Sequence, residues 1–121
     1  MAQVNLADYK NIYLQTAKKY INTMSSSCNK LADNLQDKDS INALHISSHS
    51  LKSQSQVMGY NDIAQLSKSL EEISNNALSA NNPLTNDVIV DMKKSINELE
   101  EMLKPHNART SRGKQVQDDT V

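Results

Sequence analysis

One stretch of the sequence combines residue types and spacing that could do chemistry: His45-Ile46-Ser47-Ser48-His49-Ser50-Leu51-Lys52-Ser53-Gln54-Ser55-Gln56-Val57-Met58-Gly59-Tyr60. On a helix of about 3.6 residues per turn, His45, His49, Lys52 and Gln56 form one stripe. That stripe is offset from the apolar seam of the same segment, so it turns to solvent. An exposed imidazole then has an ammonium one turn away and small serines around it. Nucleophilic phosphoryl acceptance has these requirements: a neutral ring nitrogen, room for the phosphoryl group, and a cation near its oxygens. The same side chains also read as an ordinary helix surface, and spacing alone does not separate the two. His45 and His49 as a metal pair is the weaker alternative. No third carboxylate or histidine is placed nearby on this helix, and Lys52 repels a cation.

The elements that must position these side chains are helices. Leu6, Tyr9, Ile12, Tyr13, Tyr20, Met24, Cys28, Leu31 and Leu35 step mostly by three or four, which predicts a first helix from about Leu6 to Leu35. Asp37-Lys38-Asp39-Ser40 breaks it, and Asp39 or Ser40 can cap the next helix. The second helix spans about Ser40 to Met58 on the seam Ile41, Leu44, Ser48, Leu51, Ser55 and Met58, and Gly59 ends it in the left-handed conformation. Asn61 or Asp62 opens a third helix with Ile63, Leu66, Leu70, Ile73 and Ala77 inward. The asparagine-rich run that closes on Pro83 stops it. Thr85 caps a fourth helix, with Val88, Ile89, Met92, Ile96, Leu99 and Leu103 inward, and Pro105 ends it. Residues 1–104 are therefore expected to form an all-α, antiparallel up-down four-helix bundle. Residues 105–121 are expected to be a polar, disordered tail or linker.

Composition narrows the functions. The 121 residues carry a formal net charge of −1, which lacks the basic face that nucleic-acid binding needs. No run of about 18 apolar residues offers a membrane span. The N-terminus has no basic region followed by an apolar run, so it does not read as a secretory signal. The single cysteine, Cys28, permits no internal disulfide and fits a reducing, cytoplasmic setting. With two glycines and no Phe or Trp, the core must be built from Leu, Ile, Met and Tyr. No Gly-rich phosphate loop is present, so the chain has no ATP site of its own.

His49-Ser50-Leu51-Lys52, with Gly59 ten residues after the histidine, resembles the His-x-(Leu/Ile)-Lys … Gly signature of histidine-phosphotransfer (HPt) domains. The segment from Tyr60 to Glu71 looks like that family's third helix, and Pro83-Leu84-Thr85 like the start of its last. The likeness covers about Leu6 to Lys104 and is greatest to the phosphoacceptor domain of the chemotaxis kinase CheA. It implies that His49 is the phosphorylated residue and Lys52 the cation beside the phosphoryl group. Gly59 would be the turn that folds the third helix back. Glu71 would accept a hydrogen bond from the histidine's Nδ1–H, leaving Nε2 as the nucleophile, and Lys68 would rim the site. Two positions depart from the family pattern: Ser53 stands where glycine is commonest, and Gln56 where a small residue is usual.

The resemblance also implies partners. A histidine kinase's ATP-binding domain would supply the phosphoryl group, and a response-regulator receiver would take it onto an aspartate. The domain itself would need no cofactor or metal and would be a monomer. Ser50, Ser53 and Gln56, with Gln65 and Lys68 on the third helix, are expected to form the partner surface. Such a chain is a carrier without kinase activity, either free-standing or the first module of a CheA-like kinase. The competing function is a helical interaction module that keeps the bundle without phosphoryl chemistry. Retention of His49, Lys52 and Glu71 together argues against it.

Overall fold

The fold, given by a computed structural model, is described for residues 6–79 and 83–112. Four helices follow in order: α1 (Leu6–Asp33), α2 (Lys38–Met58), α3 (Asn61–Leu78) and α4 (Asn86–Arg112). Each packs against its neighbours in sequence, and α1 closes the ring on α4. The result is the expected antiparallel up-down bundle, and the α2–α3 interface is its most extensive.

The core is aliphatic. Ile21, Met24, Leu31, Leu44, Leu51, Ile63, Leu70, Met92, Ile96 and Leu99 are almost wholly removed from water, each burial stabilising the fold by roughly 1.5–3 kcal/mol. Serines occupy core positions on α2 and α3, where Ser48, Ser55, Ser67 and Ser74 are fully buried. Their hydroxyls are all bonded. Ser48 donates to the His45 carbonyl (3.1 Å), Ser67 to the Ile63 carbonyl (2.8 Å) and Ser74 to the Leu70 carbonyl (3.0 Å). Ser55 shares a hydrogen bond of 2.7 Å with the Tyr13 hydroxyl of α1. Small, satisfied side chains let α2 and α3 approach closely without stranding polar atoms.

The ends of α2 set the position of the site. Asp37 caps its start: the carboxylate accepts from the Ser40 amide (3.4 Å) and the Ser40 hydroxyl (2.8 Å). The cap is thus earlier than Asp39 or Ser40, because Ser40 donates to the cap instead of acting as one. Gly59 closes the helix with φ 78°, and the Tyr60 amide reaches back to the Ser55 carbonyl (2.9 Å). This Schellman closure turns the chain directly into α3.

Three further expectations are corrected. Tyr9 and Ile12 are more than half exposed, whereas Leu14, Ala17 and Ile21 are buried. The working seam of α1 runs 14, 17, 21, 24, 28, 31, and Ile12 lies across the helix from it. On α1 the first helix ends at Asp33, before Leu35. Pro105 does not stop α4, which continues to Arg112. Its missing N–H frees the carbonyl of Glu101 a turn back, and because Glu101 and Pro105 are both exposed, that carbonyl is open to solvent. The rest of the expected tail, residues 113–121, lies outside the described residues.

Candidate functional site

His49 sits in the middle of α2, on the face that meets α3. Leu44, Ser48 and Leu51 drive the core side of this helix inward, which leaves position 49 at the rim. The imidazole remains 55% exposed, while Nδ1 lies 2.6 Å from Glu71 Oε2 on α3. The other carboxylate oxygen, Oε1, is 2.7 Å from Lys52 Nζ. Glu71 and Lys52 are mostly covered, at 16% and 20% exposure, so the exposed ring stands on a half-buried ion pair.

This arrangement has electrostatic consequences. Burial by itself pushes the Glu71 carboxyl up, but hydrogen bonds from Lys52 and His49, with the charge of both, hold it below the ordinary glutamate value. An ionised Glu71 is an acceptor only. Nδ1 of His49 therefore carries the proton and donates it, and Nε2 presents its lone pair to solvent. The site can offer a neutral imidazole of one tautomer as a nucleophile, with an ammonium one turn along the same helix.

The structure brings His49, Lys52 and Glu71 into one hydrogen-bonded group. It leaves the other expected residues around them unbonded to it. Lys68 is exposed one turn before Glu71, with no ion pair among the described residues. Gln56 and Gln65 are exposed, Ser50 and Ser53 half-buried, and no side chain of the four bonds to the trio. Gly59 lies at the helix reversal, away from the imidazole. Sequence reasoning passed over Ser74. Its hydroxyl lies 3.5 Å from His45 Nδ1, and the His45 and His49 rings stack with centroids 6.4 Å apart. The signal was there, since Ser74 is three residues beyond Glu71 and shares its helix face.

Among the described residues, no group of three or more His, Cys, Asp or Glu side chains is gathered as metal ligands are. No helix among them is long and apolar enough to cross a membrane.

A family model described as the Hpt domain matches residues 8–104. Curated protein sequences give no match. Among solved structures the chain is similar to the CheA phosphotransferase domain from Thermotoga maritima, with a TM-score of 0.79 and 22% identity. That alignment covers 84% of this chain and 97% of the other, and at such identity the likeness speaks for the fold.

Proposed function

Because the chain belongs to the Hpt domain family, we propose that it accepts a phosphoryl group on Nε2 of His49 and passes it to the aspartate of a response-regulator receiver. The donor is the ATP-binding domain of a histidine kinase in a two-component phosphorelay, and the reaction takes place in the cytoplasm, where that ATP is found. The observation that carries this reading is the 2.6 Å contact between His49 Nδ1 and Glu71, made by a ring that stays more than half exposed.

The chemistry follows from that contact. The Nε2 lone pair attacks the γ-phosphorus of ATP, the bond from phosphorus to the bridging oxygen breaks, and the electron pair leaves with ADP. The ring becomes positively charged as the new P–N bond forms, and the Glu71 carboxylate at Nδ1–H stabilises that charge. On transfer to a receiver, the pair returns to Nε2 as the aspartate oxygen takes the phosphorus. Lys52, 2.7 Å from Glu71 Oε1, keeps the carboxylate ionised and in place. The kinase brings ATP and Mg²⁺, and the receiver brings its own Mg²⁺. The domain acts as substrate and carrier, with Ser50, Ser53, Gln56, Gln65 and Lys68 as the ground on which partners sit.

Incubation with a CheA-like kinase, ATP and Mg²⁺ tests this. Wild type should acquire acid-labile, base-stable phosphate. His49→Gln should acquire none while its helical circular dichroism is unchanged. Full labelling of His49→Gln would sink the reading.

A further inference from the structure

We propose that His45 is a positioning residue for the phosphoryl group on His49, becoming an imidazolium when that group is present. The inference rests on the function proposed above and concerns the same site.

The two rings lie nearly parallel, 20° apart in plane and 6.4 Å apart at their centroids. Each directs Nδ1 at a side chain of α3, His49 at Glu71 and His45 at Ser74 one turn further on. Their Nε2 atoms therefore face the same side. A phosphoryl group on His49 brings roughly two negative charges. Glu71 and Lys52 already neutralise each other, and the Lys52 ammonium is committed to the carboxylate at 2.7 Å. On the N-terminal side of the new group, the ring stacked on His49 is that of His45.

Ser74 makes the protonated form easy to hold. Its hydroxyl lies 3.0 Å from the Leu70 carbonyl and 2.9 Å from that of Glu71, so its own proton has a place to go. Ser74 then accepts from His45 Nδ1–H, and Nε2–H is left to serve the phosphoryl oxygens. A bridging water would span the gap with that contact kept. The charged and titratable groups around His45 are His49 on α2 and, on α3, Glu71 with Lys52 bound to it. Glu72 is exposed one position on. The α1 helix packs on the edge of α2 that carries Gln54 and Ser55, and among the described residues the α4 backbone does not come within 8 Å of that of α2, Cα to Cα.

The test is imidazole ¹⁵N NMR of the full chain at constant near-neutral pH, before and after phosphorylation with potassium phosphoramidate. That donor needs no partner protein: its P–N bond breaks, ammonia leaves, and phosphorus bonds to Nε2. Wild type should show His45 acquiring the imidazolium signature as His49 is labelled. His45→Asn should accept the phosphoryl group about fivefold more slowly, the loss of one hydrogen bond. A His45 signal unmoved by labelling of His49 overturns the proposal, and so does an unchanged rate in His45→Asn. Labelling that bypasses His49 in wild type would instead remove the function on which the proposal rests.

Discussion

The two nitrogens of His49 have different surroundings, and the difference is made by one carboxylate. Glu71 ties Nδ1 and leaves Nε2 open. Replacing Glu71 with Gln or Ala should slow phosphoryl acceptance roughly tenfold or more, the usual cost of losing a group that orients a reactive imidazole. Steady-state labelling of the two variants against wild type checks this. The carboxyl itself is held below the ordinary glutamate value of 4.5, by bonds from Lys52 and His49 that outweigh the effect of burial. A depressed folded value means that the pairing contributes fully above 4.5 and is lost as pH falls through the lower, folded value. A ¹³C titration of Glu71 should have its midpoint below 4.5, and one above it would count against the contact. Histidine and lysine at 49 and 52 were legible in the sequence because they share a helix, where spacing alone sets their separation. Glu71 was not legible in that way. Nothing in the periodicity of α3 distinguishes it from Glu72, and only the family pattern singled it out. Ser74 was passed over because a buried serine looks like any small core residue until the facing helix is in place.

Elements were read well where apolar spacing was regular and less well where end chemistry decided. The seams of α2 and α4 are found where the spacing put them, apart from Met58 and Val88, which are only partly buried. The start of α2 was misread because Asp37, Asp39 and Ser40 are all capping types, and which one caps depends on the path of the loop. The stop at Pro105 was misread because a proline's cost in a helix depends on whether the freed carbonyl meets water. At Gly59 the reasoning held, and it yields a prediction. The residue has φ 78°, yet an added Cβ would have nothing within 4 Å. Gly59→Ala should therefore cost only the left-handed backbone strain, about 1 kcal/mol. Urea unfolding should show that loss at an unchanged slope. A much larger loss would mean that the turn is packed against something.

At the scale of the whole bundle, the surface around His49 and the polar contacts inside act separately. Ser53 is half-buried one turn along α2 from the exposed ring, on the ground that the proposed receiver would have to approach to bring its aspartate in line with phosphorus. Ser53→Trp should reduce transfer to a receiver by about a hundredfold with little loss of helical signal. An unchanged rate would place docking elsewhere. The interior sets a different limit. Burial pushes the Tyr13 hydroxyl up to about 12, against the opposing bond to Ser55. A raised folded value means that stability from this group is complete below 10, the ordinary tyrosine value, and declines as pH rises from there toward 12. Unfolding followed by circular dichroism should show midpoints falling over that interval. Tyr13→Phe should fall less steeply.

Cys28 offers a way to time the opening of the molecule. It is the single cysteine of the chain, it is wholly buried between the helices, and burial pushes its thiol up to about 11. It lies more than a turn inside the last residue of α1, Asp33, so an alkylating reagent should reach it chiefly through openings larger than the fraying of a helix end. The rate of modification then counts those openings, following the open population when reclosing is fast and the opening rate when the reagent outpaces it. A chain without tryptophan lacks the usual fluorescent signal of unfolding. Mass shift at one sulfur takes its place, and it can be read with kinase, receiver and nucleotide all in the same tube.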